Sequence, residues 1–98
     1  MTAGPLPREA RVAAIRAAIE AALQPVSLVV EDESHRHAGH AGARDGRGHF
    51  RVEVVSAAFQ GMGPIARHRA VYAAVGDLMV TDIHALAIVA DAPAERTS

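Results

Sequence analysis

Histidine is the residue type best placed to do chemistry in this chain. There are six in 98 residues, and three of them, His35, His37 and His40, fall within one short stretch. A further one, His84, opens an apolar run. Neutral imidazole binds zinc, copper, nickel and iron, so ligand type alone does not select the metal. A solvated loop, or adventitious zinc or nickel binding, accounts for the tract as readily as a functional iron site. His84 by itself reads more readily as a satisfied core histidine than as a ligand. The chain has no cysteine. That excludes disulfides, a thiol nucleophile and any cysteine-ligated metal site built by this chain alone. Ser34, Ser56 and Asp32 are not ordered as nucleophile, base and orienter, so no enzymatic activity is expected.

A second group is Arg67-His68-Arg69. It reads as a solvated helix face or as a contact to a partner or to DNA phosphates. Ten basic residues against eleven acidic ones leave a net charge of −1, which exerts no general pull toward nucleic acid or acidic membranes. The turn Gly61-Met62-Gly63-Pro64 lacks the GXXG pattern that clamps RNA.

These groups need elements to hold them. Val12, Ile15, Ile19, Ala22 and Leu23 recur at three- and four-residue spacing and predict a helix over 8–23, ended by Pro25. Ser27 to Asp32 predicts a short strand. Glu33 to Gly48 contains four glycines and no apolar period, so it reads as a long loop, a feature that often carries function. From His49 to Ser56 the residues alternate, with Phe50, Val52 and Val54 toward one face and Arg51, Glu53 and Val55 toward the other, as a half-buried strand requires. Pro64 suits a first helical position. Ile65, His68, Tyr72, Val75 and Met79, with Val71 and Leu78 beside them, predict a second amphipathic helix over 64–79 with Gly76 inside it. Ile83 to Val89 predicts an apolar strand, and residues from Pro93 a frayed tail.

The order α-β-β-α-β predicts an α/β (α+β) fold. The first two strands pair antiparallel, a parallel crossover follows, and the three-stranded mixed sheet carries both helices on one face. One domain spanning 1–98 is expected, with its core at about 8–93 and flexible tails. Met1 to Pro7 shows no signal pattern and no apolar run reaches membrane-spanning length, so a soluble cytoplasmic protein with no membrane partner is expected.

Five motifs in order carry a resemblance. Asp32-Glu33-Ser34 precedes His37. His49-Phe50-Arg51-Val52 and Val55-Ser56-x-x-Phe59-x-Gly61 follow. Arg67-His68-Arg69-x-Val71-Tyr72 and Ile83-His84-Ala85-Leu86 complete the set. Over roughly residues 8–93 the sequence resembles the BolA family, whose fold is similar to a class II KH domain. The resemblance implies a protein that pairs with a monothiol glutaredoxin and shares a 2Fe-2S cluster with it. The glutaredoxin supplies a cysteine and bound glutathione a second thiolate. This chain would be a monomer alone and a heterodimer with its partner. The family's ligand positions fall on His37 in the loop and His84 in the His-Ala-Leu segment, with His35 and His40 flanking the first. Histidine on one iron makes such a cluster less negative and raises its potential. Ligation needs neutral imidazole, so such a complex weakens in acid. The family also includes transcriptional regulators, which keeps the Arg67-His68-Arg69 reading open. Asp77 stands alone where family members often carry paired acidic residues.

Overall fold

The computed structural model describes residues 6–34 and 47–96; the loop histidines His35, His37 and His40 lie outside the described residues. Helix α1 runs Arg8–Leu23. Pro7 precedes it in an extended conformation, and its carbonyl accepts the first turn's bond from Ala10 N at 2.9 Å. Gln24 closes the helix in the left-handed region (φ 46°), and its N–H donates to the Glu20 carbonyl. Pro25 lacks the N–H needed to continue. Ile15 and Ile19 are wholly buried, and Val12 and Leu23 pack beside them. Ala22 is exposed, at the margin of the expected stripe.

Strand β1 spans Ser27–Asp32 and β2 spans Gly48–Val55. They pair antiparallel from Ser27↔Val55 to Asp32↔Phe50. A single 3₁₀ turn, Ala57–Phe59, leads out of β2. The Ser56 hydroxyl accepts from Ala58 N at 3.1 Å and donates to the Leu23 carbonyl at 2.6 Å, so one buried side chain ties the end of α1 to the end of β2.

Helix α2 spans Pro64–Val75, with Pro64 in its first turn. The expected single helix to residue 79 is two: Gly76 adopts φ 55°, ψ −129°, and a separate turn α3 follows at Leu78–Thr81. Side chains rarely adopt that conformation, which is why glycine sits there. The inward stripe of α2 matches the expected one in part. Val71 and Val75 are buried with Ala70, Ala74 and Leu78 packed beside them, whereas Ile65 is 70% exposed and Tyr72 41%.

Strand β3, Ile83–Asp91, lies parallel to β2, giving the sheet order β1-β2-β3. A short helical turn α4 at Pro93–Arg96 replaces the expected frayed tail. Phe50, Val52 and Val54 of β2, with Phe59 and Ile83, meet Ile15, Ile19, Val71 and Val75 of the helices in one core. Each such side chain contributes roughly 1.5–3 kcal/mol on burial. The opposite sheet face is open. There Arg51 bonds Glu53 at 2.8 Å and lies 3.9 Å from Glu31 across the strand pair. No helix among the described residues is long and apolar enough to cross a membrane.

Candidate functional site

The β2–β3 ladder steps from Gly48↔Ile83 to His49↔Ala85. One residue of β3, His84, is therefore extra at the start of the parallel pair. Such a bulge re-aims side chains and recurs beside functional sites. Here Ile83 is wholly buried and Leu86 packs on the core, so the two residues between them, His84 and Ala85, are both exposed. The ring of His84 lies 5.1 Å from that of His49, centroid to centroid, at 50°.

The His49 backbone and the His84 ring are each held by neighbours. The His49 N–H donates to Ser34 Oγ at 3.0 Å and its carbonyl accepts from Glu33 N at 2.7 Å, while Nε2 of the ring is buried. Ser34 is set in turn by a bond from its N–H to Asp32 Oδ1 at 2.8 Å. Gly48 is required at the start of β2: a Cβ there would lie 2.7 Å from both the Phe50 ring and Ser34 Oγ. The Arg47 guanidinium is 3.3 Å from His84 Nδ1. Guanidinium can only donate, so this contact is a hydrogen bond in the tautomer whose Nδ1 carries no proton.

Beneath His84 is a buried ion pair. Asp82, 1% exposed, accepts from Arg11 Nε at 3.0 Å and from Leu6 N at 2.7 Å, both on Oδ2. Thr81 Oγ1 donates to its other oxygen. Its backbone carbonyl accepts from Gly48 N at 2.8 Å. Burial pushes the Asp82 carboxyl up, but the hydrogen bonds from Thr81, Leu6 and Arg11 and the charge of Arg11 outweigh it, so the group sits below the ordinary aspartate value. One residue thus ties the chain before α1, the start of β2 and the start of β3 together, two positions before His84.

The Arg67-His68-Arg69 group is split by the fold. Arg67 turns inward: Nε donates to the Met62 carbonyl at 2.9 Å, one terminal nitrogen to the Ala90 carbonyl at 3.0 Å, and its guanidinium carbon lies 6.0 Å from the Phe59 ring centroid. His68 and Arg69 are exposed on α2. Ser34 and Ser56 spend their hydroxyls on the structural bonds described above.

The sequence singled out His84. It gave no site role to His49, Arg47, Arg11 or Asp82. His49 had one available signal, an imidazole at an open-face position of an alternating strand, but its neighbour is fixed only by the β2–β3 register.

The chain matches the family model described as BolA-like protein over residues 19–95. It is 43% identical over 93 residues to Protein BOLA1, chloroplastic, of Arabidopsis thaliana, covering 92% of this chain and 58% of that protein. It is 43% identical over 70 residues to the DNA-binding transcriptional regulator BolA of Escherichia coli, covering 71% of this chain and 64% of that protein. The chain therefore spans less than two-thirds of the length of either relative. The solved BolA domain of SufE1 from Arabidopsis thaliana superposes with a TM-score of 0.77 at 43% identity, covering 92% of this chain and 98% of that one.

Proposed function

The chain belongs to the BolA-like protein family, and on that footing we propose that it is a binding module which lends histidine ligands to a 2Fe-2S cluster shared with a monothiol glutaredoxin and glutathione. The observation that carries this reading is the placement of His84. A bulge at the start of β3 leaves His84 exposed while the backbone just before it is pinned by the buried Asp82 and Ile83. A ligand to a cluster held between two proteins needs both properties, access from outside and a fixed origin. His84 fits a cluster by its donor type, since imidazole serves iron–sulfur centres in place of thiolate. The second ligand is assigned to His37, with His35 and His40 beside it in the same tract, all outside the described residues. The partner cysteine and the glutathione thiolate complete the set. The chain's own role is to present imidazole, exclude competing contacts and release the cluster, for trafficking or for iron sensing.

The test is reconstitution of the chain with a monothiol glutaredoxin, glutathione, iron and sulfide, followed by visible absorption and circular dichroism. A mixed complex gives a spectrum distinct from that of the glutaredoxin homodimer, and His84→Ala or His37→Ala removes the difference. A spectrum identical to glutaredoxin alone, with no co-elution, overturns the proposal.

One observation favours a second reading, DNA binding through α2. His68 and Arg69 are exposed side by side on that helix, and the Escherichia coli relative is named as a DNA-binding transcriptional regulator. Arg67 is engaged within the fold, so Arg69→Glu is the informative change. Retained binding to a target duplex in that variant at moderate salt argues against this face.

A further inference from the structure

Arg47 belongs to none of the sequence motifs, yet its guanidinium lies 3.3 Å from Nδ1 of His84. Guanidinium only donates, and a neutral imidazole has one donor nitrogen and one acceptor nitrogen. The contact therefore consumes the ring's one lone pair. We propose that Arg47 masks His84 in the unbound chain, so that the ring is offered to a metal centre only once the guanidinium has swung away. The proposal rests on the shared-cluster reading and deepens it, by naming the residue that decides when His84 is available.

The mask holds for either ring nitrogen. Ligation through Nδ1 takes the lone pair that Arg47 engages. Ligation through Nε2 puts the ring's proton on Nδ1, where it meets a guanidinium N–H head on. Both modes expel the guanidinium. The fold makes this contact a built one. Arg47 and His84 stand 37 residues apart in sequence, and the β2–β3 pairing brings them together. Gly48, next in the chain, pairs with Ile83, and the ladder then steps over His84 to set His49 against Ala85. The Gly48 N–H donates to the Asp82 carbonyl at 2.8 Å, and a Cβ on Gly48 would come within 2.7 Å of Ser34 Oγ. The stem of Arg47 therefore leaves a fixed point of backbone beside the bulge that carries His84. His49 bounds the ring elsewhere, with its centroid 5.1 Å away.

The chemistry of the cargo supplies the release. The outer atoms of an iron–sulfur cluster are sulfides and thiolates, which accept hydrogen bonds. A guanidinium displaced from Nδ1 therefore finds a new acceptor beside the metal centre that displaced it. Without cargo no such exchange is on offer, and the ring stays covered. Arg47 is in this sense a positioning residue: it acts through His84 and sets the rate at which the ligand is presented.

The test begins on the full, tag-free chain without metal. Diethyl pyrocarbonate acylates an imidazole through its open lone pair, and mass spectrometry of the digest gives the rate at each histidine. At about pH 8, above the usual imidazole value of about 6.5, protonation does not compete. Arg47→Met keeps the aliphatic stem and removes the donor. His84 is expected to react about three- to tenfold faster in that variant, the worth of one exposed hydrogen bond from a charged group. His68 serves as the unchanged internal reference. Arg47→Lys keeps a charged donor and stays within about twofold of the unaltered chain. Far-UV circular dichroism checks the fold of each variant. The second arm is the reconstitution with glutaredoxin, where the circular dichroism of the mixed complex should grow at least about threefold faster in Arg47→Met. Equal labelling of His84 in Arg47→Met and the unaltered chain overturns the proposal, as does faster labelling with no faster loading. Failure of every chain, the unaltered one included, to form the mixed complex overturns the shared-cluster reading instead, and the labelling still decides whether Arg47 masks His84.

Discussion

Replacing Arg11 by methionine tests how the ligand strand is anchored. The change keeps the aliphatic stem and removes the charge from a pair whose side chains are 5% and 2% exposed. Asp82 then remains ionised in the interior, faced among the described residues by the Leu6 N–H and the Thr81 hydroxyl. Removing one partner of a buried pair costs about 3–5 kcal/mol. Two bonds survive here, so the lower end, about 3 kcal/mol, is expected. At about 4–8 °C per kcal/mol for a domain of this size, the melting temperature falls by roughly 12–24 °C. Thermal and urea unfolding at pH 7, followed by far-UV circular dichroism, measure it. Acid gives an independent check. The folded Asp82 carboxyl lies below its unfolded value, so the stability it contributes is complete above the unfolded aspartate value of about 3.9 and is lost as pH falls through the lower folded value. In Arg11→Met the folded carboxyl loses its main cation and takes up its proton at higher pH. The gap between the two proteins therefore narrows below about pH 4. The double change Arg11→Met, Asp82→Leu removes both charges and regains much of the loss, because the penalty lies in the orphaned carboxylate. A single-variant loss under about 1 kcal/mol at pH 7, or a gap that stays constant from pH 7 to 3, would refute this account.

Three further substitutions follow from the same structure. Gly48→Ala drives a Cβ to 2.7 Å from the Phe50 ring and from Ser34 Oγ. A loss of about 1–3 kcal/mol is expected in urea unfolding, with amide shifts at His49; an unchanged midpoint counts against a tight β2 start. Gly76→Ala puts a side chain at φ 55° and should cost about 1–3 kcal/mol by thermal melting. Ser56→Ala orphans both the Ala58 N–H and the Leu23 carbonyl, a loss of about 1–3 kcal/mol. Hydrogen exchange should then quicken at the end of α1, and unchanged exchange there argues that the bond to Leu23 holds nothing.

The parts of the fold legible in the sequence are those where local chemistry and tertiary packing agree. Proline on either side delimits α1, and Ile15 and Ile19 mark its buried face without competition. The alternation of Phe50, Val52 and Val54 survives unchanged because β2 is the central strand, covered on one face only. Helix α2 keeps only part of the expected stripe because its largest apolar side chains point outward. Ile65 and Tyr72 are exposed, while the inward face is built from Ala70, Val71, Ala74 and Val75. Small residues there let α2 approach α1 and the sheet closely, and their weak hydrophobic signal is easily outvoted. Strand β3 outruns its apolar stretch to Asp91 because the parallel ladder continues to Val55↔Asp91 and Ser56 N bonds the Asp91 carbonyl. Backbone pairing, which no side-chain pattern announces, sets that end.

The site was half legible for a related reason. His84 is conspicuous in an apolar run, and its exposure follows from sitting at the start of a strand. Its pairing with His49 depends on one inserted residue in the ladder, and a one-residue change of register would turn the ring to the other face. Arg11 looks like a polar-side helix residue until the fold lays Asp82 against it. These hidden contacts answer a physical conflict. A ligand offered to a partner has to be exposed, yet an exposed side chain at a strand start is free to wander, and ordering it on binding costs conformational entropy. The fold meets both demands by separating them. Exposure comes from the bulge, which places His84 and Ala85 outward between two inward anchors. Order comes from beneath, where the Asp82 carbonyl holds Gly48 and its carboxylate holds Arg11 and Leu6. A charged pair this deep is a poor source of net stability compared with apolar packing. What it supplies is a fixed origin for His84. Replacing the pair with apolar residues should thus be tolerated by the fold sooner than by the ligand geometry.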